Sequence, residues 1–456
     1  MIKYETDSRK VKPGQTFVAI KGYTVDGHDF IDKAIENGAT SIIASKNVKA
    51  SVPVTVVEDS AKYFQKKLVE EYSEEFKNLK LIGITGTNGK TTTAYLAYQL
   101  LRSLNKKAAY IGTLGYICEN ETEILPNTTP EILTIYKLLQ KAKEQNCEYV
   151  VMEVTNFALE FKRIEGLQFI AGGFTNLTED HLDYHKTMEN YLNSKLKLTN
   201  YLKKDAVLVV NNDDEASKKF MERFKNTKTY GINSGDYNVL KYDIHPDHTE
   251  IEYKNEGKTY KATTNLTSKF NIYNYILAVA ILHEIGFNEE EIIQKTKNLK
   301  APKGRCETYK VKDGFAVIDY AHTPDAVLKV ITAYKDLAKA RVITLVGCGG
   351  DRDPIKRPIM GEIASNYSDY VVFTSDNPRT EDPQKIMDDI IKGVKKDNYE
   401  ICLDRKSAIK KALNMIQKDD IVLLLGKGHE DYQIIGHTKI HLDDSEEVLN
   451  YEKCEI

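Results

Sequence analysis

The sequence predicts an α/β protein of three domains: a small N-terminal α/β domain, a central parallel-sheet domain and a C-terminal Rossmann-like domain. Three observations predict it. The chain has 456 residues, too many for a single hydrophobic core. From residue 79 onward, apolar strand-like runs alternate with helical patterns, the signature of a parallel sheet covered by helices. The run Leu81-Ile82-Gly83-Ile84 leads into Thr85-Gly86-Thr87-Asn88-Gly89-Lys90-Thr91-Thr92 and then into a helical pattern through Leu96 and Leu100.

Residues 1 to about 78 read as short strands and one helix, with turn signals at Pro13-Gly14 and Asp26-Gly27. Glu70–Glu75 reads as a charged linking helix. The second domain, 79–300, contains strands at Tyr149–Met152, Phe169–Phe174 and Ala206–Val210, and an antiparallel insertion at about 237–265. Pro302-Lys303-Gly304 marks the start of the third domain, 301–456, with strands at Phe315–Tyr320, Val342–Val346, Tyr370–Phe373 and Ile421–Leu425.

Bulk properties exclude several classes. Basic and acidic residues number 64 and 67, so nothing points to nucleic acid or an anionic membrane. No apolar run reaches the length of a membrane span, and Met1–Asp7 lacks the apolar core of a signal peptide. Six scattered cysteines without metal-type spacing read as free thiols in a reducing cytoplasm.

The order strand, glycine loop, helix at 81–100 is what a nucleotide phosphate site needs. Glycine lets backbone N–H groups turn toward a polyphosphate, and the helix N-terminus adds its positive dipole end. Lys90 is expected to reach the β/γ-phosphates and Thr91 to hold Mg²⁺. Ile84 stands where the general phosphate-loop pattern has its first glycine, so the loop is the shorter G-T-N-G-K-T. Gly86, Thr87, Asn88, Gly89, Lys90, Thr91 and Thr92 are the candidate ATP-binding residues. Glu153, at the carboxyl end of a buried strand, is a candidate Mg²⁺ ligand. The segment Thr175-Asn176-Leu177-Thr178-Glu179-Asp180-His181-Leu182-Asp183-Tyr184-His185 concentrates three acids and two histidines in one loop. In the last domain, Asp319–Asp325, Gly347–Asp353, Ser375–Arg379 and Gly426–Glu430 follow four predicted parallel strands, where an α/β sheet places its ligand.

Met152-Glu153-Val154, the 175–185 segment and Lys195, fourteen residues after His181, resemble the Mur ligases, ATP-dependent amino-acid-adding enzymes of peptidoglycan synthesis. The C-terminal signatures are most similar to those of members that add the third residue of the stem peptide. The resemblance runs the length of the chain. It implies a carbamylated Lys195 that, with His181, helps bind a second Mg²⁺, so that Lys90, Glu153, His181 and Lys195 form the catalytic set. A carbamate suits the chemistry, since hard Mg²⁺ prefers oxygen ligands and a bare ammonium would repel it. It further implies ATP contacts at Asn271, Asn274, Arg305, Asp319 and His322. A uridine-binding N-terminal domain would contact a UDP-muramoyl-peptide through Ser8, Tyr23, Thr24 and Val25, with Thr128, Thr129, Thr155 and Arg163 holding the remainder of that substrate. Arg352, Asp376, Asn377, Pro378, Arg379, Gly426 and Glu430 are the implied amino-acid-binding residues. Asp376–Arg379 resembles the motif of members that add meso-diaminopimelate rather than lysine. The second carboxylate of diaminopimelate gives a guanidinium something to bind in two places.

The implied activity is ATP-dependent ligation of meso-2,6-diaminopimelate to UDP-N-acetylmuramoyl-L-alanyl-D-glutamate through an acyl phosphate, by a cytoplasmic monomer. A ligase adding L-lysine or another amino acid, a folate- or cyanophycin-type amide ligase and a non-catalytic nucleotide-binding regulator are the alternatives. Two departures fall on the muramoyl-peptide side. Phe157 replaces a usual histidine, and Phe161 a usual glutamine.

Overall fold

The computed structural model describes residues 2–22 and 25–454. Tyr23 and Thr24, expected at the uridine site, therefore lie outside the described residues. The chain divides into two compact units, one of residues 1–90, 101–210 and 214–228, the other of residues 91–100, 211–213 and 229–456.

In the first unit, Tyr4–Glu5, Thr16–Val18, Ser41–Ala44 and Val54–Val56 pair in that order, all parallel. The helix Ser60–Tyr72 buries Ser60, Phe64, Leu68 and Tyr72, a spacing of four that puts one stripe against the core. Tyr4 packs edge-on against Phe64 with ring centroids 5.4 Å apart. The expected linking helix at Glu70–Glu75 is replaced by the end of this helix and a 3₁₀ turn, Ser73–Phe76. Phe76 is the reason: it turns inward to meet Tyr136 edge-on at 5.3 Å. A second helix at Ile31–Glu36 corrects the expectation of one in this region.

The larger sheet of this unit runs Leu202–Asn211, Phe169–Phe174, Lys80–Thr85, Tyr149–Glu153 and Ala108–Gly112 in parallel, followed by the antiparallel strands Gly115–Cys118 and Glu121–Glu123. Lys80–Thr85 lies between Phe169–Phe174 and Tyr149–Glu153, and its residues from Leu81 on are buried. Covered on both faces, it reads as an unbroken apolar run. Its carboxyl end delivers Gly86.

In the second unit, Tyr237–Ile244, Thr249–Asn255 and Lys258–Thr264 form the expected antiparallel stretch. The helix Lys269–Glu284 is buried almost throughout. The last sheet has the order Glu307–Val311, Gly314–Asp319, Ile421–Leu425, Val342–Val346, Tyr370–Phe373 and Tyr399–Ile401. Only its first strand is antiparallel. All four loops singled out in the sequence thus leave the carboxyl ends of neighbouring parallel strands. Arg405 and Asp444 form a fully buried, two-point ion pair, with Nε–Oδ1 at 2.9 Å and Nη2–Oδ2 at 2.6 Å. The pair anchors the helix Asp444–Cys454, and Nη2 also donates to the Leu425 carbonyl at 3.1 Å. Among the described residues, no helix is long and apolar enough to cross a membrane.

Candidate active site

The glycine loop is built by two backbone turns that only glycine makes cheaply. Gly86 has φ +143° and Gly89 has φ +84°. A Cβ on Gly86 would fall 1.8 Å from the Thr175 hydroxyl, so side chain and loop occupy adjoining space. Thr175 donates to the Asn88 carbonyl at 2.6 Å, and Asn176 takes the Thr87 N–H on its carbonyl at 2.8 Å and the Asn88 N–H on its amide oxygen at 3.0 Å. Asn88 in turn donates to Thr178 Oγ1 at 3.1 Å. The 175–178 segment therefore braces the loop. The acidic residues that follow it, Glu179, Asp180 and Asp183, are exposed. This segment is not one continuous loop as expected: Leu182–His185 winds into a short helix. His181 precedes that helix with φ +55°, a left-handed conformation uncommon outside glycine.

Lys90 opens the helix Lys90–Ser103 and folds back, donating to the Gly86 and Thr87 carbonyls at 3.0 and 2.7 Å. Lys195 reads as a surface lysine in the sequence, yet it is buried, on the helix Met188–Leu196. It donates to the Gly86 carbonyl at 2.7 Å and lies over the Tyr191 ring at 4.1 Å. Burial, and then the charge of Lys90, push its pKa well below the ordinary lysine range. Glu153 is fully buried. Its Oε1 accepts from the Tyr110 hydroxyl at 2.5 Å and the Thr113 N–H at 2.8 Å, and its Oε2 from the Thr113 hydroxyl at 3.4 Å.

Around the altered strand end, Phe157 stacks on Phe161 at 6.0 Å and meets His181 edge-on at 5.0 Å. Thr155 caps the helix Asn156–Glu160, accepting from the Ala158 N–H at 3.2 Å. Thr129 is buried with its hydroxyl on the Glu153 carbonyl at 2.8 Å, while Thr128 meets Thr113 at 3.1 Å. Arg163 donates to the Thr129 carbonyl at 2.9 Å and pairs with Glu131 at 2.5 Å. Ser8 is buried, its carbonyl taking Asn37 Nδ2 at 2.8 Å, whereas Val25 is exposed.

In the second unit, Thr91 and Thr92 are buried. Thr93 donates to Asn274 at 3.3 Å, Asn274 to Asn271 at 3.0 Å and Asn271 to the Thr267 carbonyl at 2.8 Å. Both asparagines are thus tied into the helix packing. Asp319 accepts from the Cys306 and Ala321 N–H groups, both at 2.9 Å. Arg305 lies over the Tyr320 ring at 5.0 Å, and His322 Nδ1 contacts the Tyr320 carbonyl at 2.7 Å. Burial, with the charges of Arg305 and Lys303, pushes His429 down to about 4.

Arg379, with φ +52°, donates from Nη1 to the Gly350 carbonyl at 2.8 Å. Its backbone N–H donates to the Ile434 carbonyl at 3.0 Å, which fastens it to the hairpin Tyr432–Ile435 and Thr438–His441. Asp376 is buried, its Oδ1 accepting the Asn377 N–H at 2.6 Å. Asn377 Nδ2 donates to Glu430 Oε2 at 2.8 Å. Gly426 has φ +109°, and a Cβ there would fall 2.8 Å from Asp376 Oδ2. Pro378 presses its carbonyl on Gly350, where a Cβ would meet it at 1.9 Å. Arg352 is exposed. Asp376, Asn377, Arg379, Gly426 and Glu430 therefore share one array.

Comparison with known proteins matches three successive stretches of the chain. Residues 4–79 match the Mur ligase family, catalytic domain; residues 84–282 the Mur ligase middle domain; residues 304–428 the Mur ligase, glutamate ligase domain. A UDP-N-acetylmuramoyl-L-alanyl-D-glutamate–2,6-diaminopimelate ligase of Fusobacterium nucleatum is 44% identical over 452 residues, covering 97% of this chain and 92% of the relative. The chain belongs to the Mur ligase family.

A relative of the same name from Clostridium acetobutylicum is 43% identical, covering 98% of this chain and 94% of its own. A solved UDP-N-acetylmuramoyl-L-alanyl-D-glutamate–2,6-diaminopimelate ligase superposes with TM-score 0.72 at 30% identity, over 99% of this chain and 94% of that one. The fold also matches that of a MurF ligase from Thermotoga maritima in complex with ADP, with TM-score 0.68 at 21% identity over 99% and 97% of the two chains. The three-domain Mur ligase architecture and the ATP-dependent ligase class follow from membership.

Sequence reading missed several residues that hold candidate residues in place within each unit. Tyr110 and Thr113 hold Glu153, Tyr191 covers Lys195, and Lys427 is buried between Asn377 and Glu430. Only Lys427 carried a local signal, lying between two glycines in the Gly426–Glu430 loop.

Proposed function

We propose that the chain joins meso-2,6-diaminopimelate to the D-glutamyl carboxylate of UDP-N-acetylmuramoyl-L-alanyl-D-glutamate, converting ATP to ADP and phosphate. The array of Asp376, Asn377, Arg379 and Glu430 on adjacent strand-end loops is the observation that carries this reading. It offers a guanidinium for a carboxylate and two acids for an ammonium, the complement of an amino acid with charged groups at both ends. The names of the relatives support the same choice.

Amide formation from a free carboxylate is uphill in water. Attack of the carboxylate on the γ-phosphate of ATP releases ADP and leaves an acyl phosphate. The amine of the amino acid then attacks the acyl carbon, and phosphate leaves through a tetrahedral intermediate. Catalysis of such phosphoryl transfer is mostly positioning and charge neutralisation. The braced loop 86–92 would present N–H groups to the phosphates, and Lys90 would turn from its loop carbonyls to the β/γ-oxygens. Asn271, Asn274, Arg305, Asp319 and His322 would complete the nucleotide site. Ser8, Tyr23, Thr24, Val25, Thr128, Thr129, Thr155 and Arg163 would hold the UDP-muramoyl-peptide. Arg352, Pro378 and Gly426 would complete the amino-acid site.

The proposed Mg²⁺ donors are suited to the ion by chemical type on one condition. Thr91 and Glu153 supply oxygens and His181 an imidazole, but an unmodified Lys195 adds no oxygen. Burial pushes the Lys195 pKa down, which favours the neutral amine that attacks CO₂ to give a carbamate and a proton, and that carbamate would supply the missing oxygens. Bound Mg²⁺ would neutralise phosphate charge. The same reading takes the enzyme to be a cytoplasmic monomer with domains at 1–78, 79–300 and 301–456.

Amino-acid-dependent phosphate release with the UDP-muramoyl-dipeptide tests the assignment. Release with meso-diaminopimelate and little with lysine is expected; preference for lysine or another amino acid would overturn it.

A further inference from the structure

Lys427 is a fully buried lysine that neither the motifs nor the proposed reaction uses. Its Nζ lies 3.1 Å from Glu430 Oε2 and 3.2 Å from Asn377 Oδ1, and 5.5 Å from the centre of the Tyr432 ring. Gly426 and Gly428 on either side have φ +109° and +51°, which lets the chain turn the side chain inward beneath its own loop. A Cβ on Gly428 would meet Tyr320 Cβ at 2.6 Å, so the turn is also tightly confined.

The two groups Lys427 touches come from different strand ends. Asn377 follows Tyr370–Phe373, and Glu430 follows Ile421–Leu425. Asn377 is engaged at both ends of its amide: Oδ1 accepts from Lys427 and from the Ile434 N–H at 2.9 Å, and one N–H of Nδ2 donates to Glu430 Oε2 at 2.8 Å. Two donors on Oδ1 also fix which way the amide faces. Glu430 Oε2 is occupied by Asn377 and Lys427, and Oε1 takes no part in either contact. A buried ion pair is weak as a source of stability, because desolvation offsets the attraction. What it supplies here is geometry.

We propose that Lys427 is a positioning residue for the amino-acid substrate: it locks Asn377 and Glu430 into one rigid unit that presents Glu430 Oε1 to the distal ammonium. The inference rests on the proposed reaction. A carboxylate pinned by two contacts on Oε2 binds without first losing its rotamer freedom, so its effect falls on amino-acid affinity rather than on ATP chemistry.

The experiment is steady-state kinetics on full-length parent, Lys427→Met, Glu430→Gln and the double variant. The parent is run first against meso-diaminopimelate and lysine, which tests the reaction assignment alone; the variants are then assayed with whichever amino acid the parent uses. Lys427→Met is expected to raise the KM for the amino acid at least tenfold while the KM for ATP stays within twofold. The double variant is expected to be no worse than Glu430→Gln, since Lys427 acts through Glu430. An unchanged amino-acid KM in Lys427→Met, equal losses in all substrates, or multiplicative losses in the double variant would overturn the proposal. If Lys427→Met does not fold, Lys427→Gln, a shorter donor without charge, carries the same comparison with the same outcomes.

Discussion

Lys90 and Lys195 donate to the same oxygen, the Gly86 carbonyl, at 3.0 and 2.7 Å. Two ammonium groups on one acceptor repel each other, and the buried one yields: Lys195, desolvated, has its pKa held well below the usual range. The Gly86 carbonyl is thus held by two amines in different surroundings, and the buried one has its pKa pushed down.

Lys90→Ala should abolish ATP turnover while leaving the fold intact. Its Nζ donates to the Gly86 and Thr87 carbonyls of its own loop. Circular dichroism alongside an ATP-hydrolysis assay checks this. Wild-type ligation by a folded variant would remove the phosphate-loop assignment.

Lys195 is expected to carry a carbamate in active enzyme. Native mass spectrometry should find a mass increase of one CO₂ that acid releases, and activity should fall in CO₂-depleted buffer. Lys195→Ala should lose most activity and recover part of it with added small carboxylates. Fully active protein with an unmodified lysine would refute the role.

Arg379→Ala should raise the KM for meso-diaminopimelate at least tenfold, about 1.4 kcal/mol. A charge-assisted pair is worth about 1.5–3 kcal/mol net, and a carboxylate left without its partner loses more. The KM for ATP should hardly move. A variant that uses diaminopimelate as well as the parent does would show that the guanidinium serves only the Gly350 carbonyl.

His429 should make stability fall with acid. Its folded pKa of about 4 lies below the unfolded value of about 6.5, so between these the unfolded chain takes up a proton that the folded one declines. The contribution is complete above pH 6.5 and is lost as pH falls toward 4, by about 3 kcal/mol at the limit. Denaturant titrations of parent and His429→Gln at pH 7.5, 5.5 and 4.5 measure it. Parallel stability curves for the two proteins would rule out this contribution.

The fold was legible because its signals are local. Apolar runs, turn glycines and the strand–loop–helix order around Gly86 are written in consecutive residues. The site was legible where a motif carries its own chemistry, as in Asp376–Arg379. What escaped depends on partners far along the chain. Nothing near Lys195 announces that Gly86 and Tyr191 enclose it. Nor does the sequence show that the Thr155 hydroxyl accepts the Ala158 N–H, or that Asn271 and Asn274 bond to Thr267 and Thr93. The misplaced linking helix has the same origin: composition reports the charge of Glu70–Glu75, but Phe76 and its ring partner Tyr136 decide where the helix stops.

The Arg405–Asp444 pair makes the last helix a guarantor of the domain's interior. Unwinding Asp444–Cys454, by a protease or a bulky fusion, withdraws the counter-charge from a guanidinium that has no route to water. An uncompensated buried charge costs about 3–5 kcal/mol, a large share of an ordinary domain's stability. Damage at this edge is then felt at Leu425, where the loop to Glu430 begins.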